Sequence, residues 1–139
     1  MTNPTKALGI DLGESRIGLA LSDDLGMMAH PLETVPAKEN PLARIVELVR
    51  QHNIQTIVLG LPRNMDGTYG AAADKIKVFR DTLKASVTCP IILWDERLTT
   101  VAAQKSLHEA GRNVKKSRAV IDQVAAQLIL QGWLDSQAI

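Results

Sequence analysis

One stretch near the start constrains this chain more than any other: Ala7-Leu8-Gly9-Ile10-Asp11-Leu12-Gly13. A short apolar run bounded by glycine reads as a buried strand, and Asp11 sits inside it. An ionised carboxylate in such a place costs on the order of several kcal/mol unless something pairs with it. No basic residue stands within the run, so the partner comes from a distant Arg or Lys, or from a metal ion. Two readings are open: a buried salt bridge or neutral carboxyl, and a metal-binding acid. The companions supplied by the rest of the chain bear on the choice.

After this run, Glu14-Ser15-Arg16 reads as a turn. Ile17-Gly18-Leu19-Ala20-Leu21-Ser22 then alternates large and small residues, as a strand with one tightly covered face does. Asp23-Asp24-Leu25-Gly26 is a second turn, its acids serving as turn formers. Met27 to Val35 gives a third strand, which Pro31 assigns to a sheet edge. The period then becomes helical. Asn40 caps a helix that opens at Pro41, with Leu42, Ile45, Val46 and Val49 on one face. Ile54 to Leu61 is a strand parallel to one of the first three, because a helix separates them. A turn-rich loop follows, then a helix from about Ala71 to Ala85 with Ile76, Phe79 and Leu83 inward, then a fifth strand over Pro90 to Trp94. Thr99 or Thr100 caps a helix ending at Gly111. The last helix runs from about Ser117 to Leu134, with Ile121, Val124, Ala125 and Leu128 as its apolar stripe and Asp122 one position from it. The expected architecture is α/β: a five-stranded mixed sheet flanked by helices, in a single domain over residues 1–139.

Composition narrows the classes. A length of 139 residues suits one domain, and no apolar stretch approaches the roughly 18 residues of a membrane span. The chain opens without a signal-peptide pattern, so a cytoplasmic protein with no membrane association is expected. The single Cys89 excludes an internal disulfide and a cysteine-based zinc site. With a net charge of only +1, affinity for nucleic acid must come from local patches.

Acids occur where chemistry can use them: Asp11 in the first strand, Asp95 and Glu96 at the end of the fifth, and Asp122 early in the last helix. Ligand sites in open α/β sheets form beyond the C-terminal ends of parallel strands. Carboxylates converging there make an oxygen-rich pocket suited to Mg²⁺ or Mn²⁺. Strand alternation puts Asp95 and Glu96 on opposite faces, so one of them serves. Each acid also has a plain alternative: Glu96 beside Arg97 or in solvent, and Asp122 favouring the dipole of its own helix.

These residues resemble a known family. Asp11-Leu12-Gly13 with Ile17-Gly18-Leu19-Ala20, Gly60-Leu61-Pro62-Arg63-Asn64-Met65-Asp66-Gly67, Asp95-Glu96-Arg97-Leu98-Thr99 and Asp122-Gln123-Val124-Ala125-Ala126 look like the four signatures of the YqgF family, also called RuvX. They occur in the family's order and spacing over nearly the whole chain. The resemblance implies an RNase H-like fold and a metal-dependent nuclease of the bacterial cytoplasm. It further implies a role in maturing the 5′ end of pre-16S ribosomal RNA, or in resolving Holliday junctions. Carried over, it makes Asp11, Glu96 and Asp122 the catalytic, metal-binding acids, with Mg²⁺ or Mn²⁺ as cofactor. It makes the Gly60–Gly67 loop, with Arg63, Asn64, Asp66 and Gly67, a substrate-side element, for which a plain surface turn is the alternative; Arg97 is a further candidate for substrate contact. Ala125 stands where RuvC resolvases carry a further acid, which weakens the case for junction resolution; structured RNA is the expected partner, with DNA as the alternative. The basic segment Arg112, Lys115, Lys116 and Arg118, immediately before the helix of Asp122, reads either as a solvated charge run or as a phosphate clamp beside the site. The chemistry expected is hydrolysis by paired ions bridged by Asp11, in a monomer or weak homodimer.

Two rival classes remain. Actin-like ATPases and sugar kinases open on a similar Asp-x-Gly hairpin, but enclose their nucleotide between two such domains, and this chain has the length of one. A non-catalytic RNA-binding factor in ribosome assembly or transcription would be expected to have lost one of the acids, and all three are present.

Overall fold

The structure is a computed structural model that describes residues 6–61, 70–96 and 118–137. Within these residues the chain runs β1 (Ala7–Leu12), β2 (Arg16–Ser22), β3 (Ala29–Pro36), α1 (Pro41–Gln51), β4 (Thr56–Leu61), α2 (Ala71–Lys84), β5 (Ile91–Asp95) and α3 (Arg118–Gln137). The strands form one mixed sheet in the order β3-β2-β1-β4-β5. The first three make an antiparallel meander, while β4 pairs parallel to β1 and β5 parallel to β4. The expected α/β sheet is thus present, its parallel half arising where helices intervene between strands.

Side-chain size divides the sheet into two unlike faces. Leu8, Ile10, Ile17, Leu19, Ile57 and Leu59 pack on one side against α1 and α2. Ala7, Ala20, Ala29 and Val58 meet Ala126, Ile129, Leu130, Trp133 and Leu134 of α3 on the other. The small residues let α3 lie close to the sheet, the tight covering that the large–small alternation of β2 implies. β3 is at the edge, with Pro31 opposite Ala20 beside a register shift at Leu19/Ala20; an edge tolerates the missing donor. The second turn also forms as read: Asp23 Oδ1 accepts the Met27 N–H at 2.9 Å and Gly26 has φ 67°. Arg44 ties α1 to β3 by a two-pronged pair with Glu33, both contacts at 2.7 Å. That hydrogen bonding holds the Glu33 carboxyl below its ordinary range.

Two sequence expectations need correction. Asn40 precedes Pro41 at the start of α1 but makes no side-chain cap; it adopts φ 53°, ψ 58°. A capping side chain works from an extended backbone, and Asn is among the few residues that tolerate the left-handed region. The buried face of α3 is Ala126, Ile129, Leu130, Trp133 and Leu134, whereas Ile121, Val124, Ala125 and Leu128 are half-buried. The helix is apolar on most sides, so periodicity alone does not select the face that meets the sheet. The helix expected between Thr99 and Gly111 lies outside the described residues.

Candidate active site

Asp11 is the second-last residue of β1, and alternation turns it with Ala7 and Gly9 toward α3. Its neighbour across the sheet on β2 is Gly18. A Cβ at Gly18 would collide with the backbone carbonyl of Asp122; glycine there lets the first turns of α3 settle on β2, bringing Asp122 beside Asp11. Asp122 also lies on the helix face of Ala126 and Leu130, at i+4 and i+8. Gln123 Nε2 donates to Thr34 Oγ1 at 3.1 Å and Gln127 Nε2 to the Ala29 carbonyl at 3.0 Å, pinning this end of the helix to β3. On the far side, β5 ends with Asp95 opposite Leu61, and Glu96 follows. A Cβ at Gly60 would stand 2.8 Å from Glu96 Oε1, so glycine on β4 leaves room for that side chain to reach back over the sheet.

The charges interact accordingly. Burial raises the Asp11 carboxyl to about 6, with the negative charge of Asp122 adding to the effect. Burial raises Glu96 to about 7, aided by the charge of Asp11 and then of Asp95. Asp122, Asp11 and Glu96 therefore form a row across α3, β1 and the end of β5. Asp122 carries a counter-ion, Arg16 Nε donating to its Oδ2 at 2.8 Å. Among the described residues, no three His, Cys, Asp or Glu side chains are gathered closely enough to enclose a metal ion. The donor set nevertheless fits a hard divalent cation: it consists of carboxylate oxygens, two of them destabilised by burial and mutual repulsion that a cation relieves.

Of the other sequence-predicted site residues, Arg63, Asn64, Asp66, Gly67, Arg97, Arg112, Lys115 and Lys116 lie outside the described residues. Arg118 is the first residue of α3, and its side chain is likewise outside them. Three residues were missed by sequence reasoning. Gly18 and Gly60 were legible as glycines inside strands, a mark of close approach. Arg16, assigned to a turn, opens β2 and shares the face of Gly18 by alternation.

Comparisons with known proteins give the family and the fold. Residues 5–136 match the model of a family described as RuvX: Holliday junction resolvase. A protein of Acetivibrio thermocellus named “Putative pre-16S rRNA nuclease” is 48% identical over 95% of this chain and 96% of its own. A protein of the same name from Bacillus subtilis is 44% identical over 94% and 98%. Among solved structures, T. thermophilus RuvC in complex with a Holliday junction substrate has a TM-score of 0.61 at 14% identity, covering 96% of each chain. Fowlpox virus resolvase with its junction DNA has a TM-score of 0.64 at 10% identity, covering 97% and 100%. The structural likeness gives the fold, which is RNase H-like. Fold, sequence signatures and family match converge: the chain belongs to the RuvX family.

Proposed function

We propose that this protein is a divalent-metal-dependent nuclease that hydrolyses phosphodiester bonds in the cytoplasm, with the 5′ extension of pre-16S ribosomal RNA as substrate. The observation that carries this reading is the row of carboxylates, Asp122, Asp11 and Glu96, two of which burial and repulsion push up to about 6 and about 7. Acids perturbed by burial and by one another mark a functional site, and a cation bound among them would relieve the repulsion. The names of the relatives at 48% and 44% identity support RNA as the substrate.

Asp11, Glu96 and Asp122 would hold Mg²⁺ or Mn²⁺. Such an ion supplies a water nucleophile at neutral pH and stabilises charge on the leaving oxygen. The residues of the chain do the rest. The hydrophobic contacts beneath α3 fix Asp122 against β1, and Gly18 and Gly60 keep the approach to Asp11 open. Arg63, Asn64, Asp66, Gly67 and Arg97 belong to the substrate side, and Arg112, Lys115, Lys116 and Arg118 clamp phosphates.

The test is to incubate the protein with Mg²⁺ or Mn²⁺ and a panel of 5′-extended 16S precursor, RNA duplex and four-way DNA junction. We expect cleavage of the precursor, abolished by EDTA. Cleavage of the junction alone would reassign the substrate to DNA, and RNA binding without cleavage of any substrate would favour the non-catalytic assembly factor.

A further inference from the structure

Arg16 is the feature that the acid chemistry leaves unexplained. It is separated from Asp122 by most of the chain, yet its Nε donates to Asp122 Oδ2 at 2.8 Å, with the two side chains 35% and 23% exposed. The bond is made through Nε alone. The same molecule shows how a purely structural arginine pair is built: Arg44 grips Glu33 with Nε and Nη2 together, each at 2.7 Å. Arg16 leaves its terminal Nη groups without a hydrogen-bond partner among the described residues, at the rim of the acid row. A planar guanidinium with free terminal donors matches a phosphodiester bidentately.

We propose that Arg16 gates this site: it holds Asp122 as an internal counter-ion in the free protein, and a phosphate of the bound nucleic acid draws it off, freeing Asp122 for the divalent cation. The inference rests on the reading of the acid row as a nuclease centre, and it makes Arg16 a positioning residue acting through Asp122. The physical basis is competition. A guanidinium and a divalent cation contend for one carboxylate and repel each other across it. Asp122 can serve the cation fully only when the guanidinium has another anion to neutralise, and nucleic acid brings that anion. Cation and nucleic acid must then favour each other reciprocally, each raising the affinity of the other by one shared factor.

The experiment is a Mn²⁺ titration of the full chain, read by the electron paramagnetic resonance of free Mn²⁺. It compares wild type with Arg16→Gln, each alone and with a saturating phosphorothioate RNA that resists cleavage. Turnover does not enter the readout. We expect RNA to raise the Mn²⁺ affinity of wild type by about tenfold, at the low end of couplings between ligands. Arg16→Gln should bind Mn²⁺ without RNA about tenfold more tightly than wild type and gain less from RNA, while Arg16→Lys, which keeps the charge but not the bidentate fork, should restore the coupling only in part. Unchanged or weaker Mn²⁺ binding by RNA-free Arg16→Gln would overturn the gate and leave Arg16 as a scaffold for Asp122. If Arg16→Gln does not fold, wild type decides: equal Mn²⁺ affinity with and without RNA overturns the proposal. Absence of Mn²⁺ binding in every sample removes the nuclease reading along with the gate, whereas binding without coupling removes only the gate.

Discussion

Asp11 carries the largest electrostatic burden of any described residue in β1, and its titration is measurable. Asp11 and Glu96 keep their protons to about 6 and about 7 in the folded chain, against ordinary values of 3.8 and 4.5. Between about pH 4 and pH 7 the folded state therefore binds more protons than the unfolded one, and metal-free stability falls as pH rises through that window. Among the described residues, the charge of Asp122 acts on Asp11, and the charges of Asp11 and Asp95 act on Glu96. Because Glu96 is partly exposed its share is reduced by solvent screening, and the combined loss is on the order of a few kcal/mol. Urea midpoints taken at about pH 5 and about pH 7.5 should show the higher value at the lower pH. A midpoint that rises with pH over this interval would contradict the repulsion. Asp11→Asn removes one charge of the row, so it should flatten this dependence without lowering the midpoint at the higher pH. Adding Mg²⁺ at about pH 7.5 should raise the wild-type midpoint through binding to the native state and leave Asp11→Asn nearly unmoved.

At the scale of elements, the site exists because α3 lies close to β1 and β2. Gly18→Ala places a methyl group against the Asp122 carbonyl, where neither backbone can give way cheaply. We expect a loss of about 1–3 kcal/mol in chemical denaturation, as for overpacked cores, together with weaker Mn²⁺ binding as the start of α3 is displaced. Wild-type stability in Gly18→Ala would mean that the helix approaches less closely than the structure has it. This close approach was partly legible in the sequence: the alternation of Ile17, Leu19 and Leu21 with Gly18, Ala20 and Ser22 announces a thinly padded face. The choice of face on α3 was not legible, since Ile121, Val124 and Leu128 are as apolar as Ile129 and Leu130, and only the sheet decides which are covered. Nor was the role of Arg16, whose partner is distant in sequence and in contact only after α3 docks. The acids were picked out as a set by family resemblance; their spacing alone was compatible with surface pairs, and what brings Asp122 beside Asp11 is the docking of α3 on β2.

At the scale of the whole molecule, a net charge of +1 gives a polyanion no general attraction, and an acid-lined site repels it. Local cations must offset this. Arg112, Lys115, Lys116 and Arg118 provide four charges within seven residues. Neutralising Lys115 and Lys116 together should flatten the log–log salt dependence of RNA binding by roughly 1.4, or roughly 1.8 if the bound segment is double-stranded. The loss should be nearly independent of sequence, since phosphate contacts position a substrate without reading it. An unchanged slope in a fluorescence titration would place the clamp elsewhere. The central claim concerns the acids themselves, and it comes down to one comparison. The rate of cleavage of a 5′-extended 16S precursor is measured in Mg²⁺ for wild type and for Asp11→Asn at equal concentrations of folded protein. We expect wild type to cleave, and Asp11→Asn to lose activity by orders of magnitude while still folding and still binding the RNA. Equal cleavage by the two proteins would contradict the assignment of Asp11, and with it the active site described for this chain.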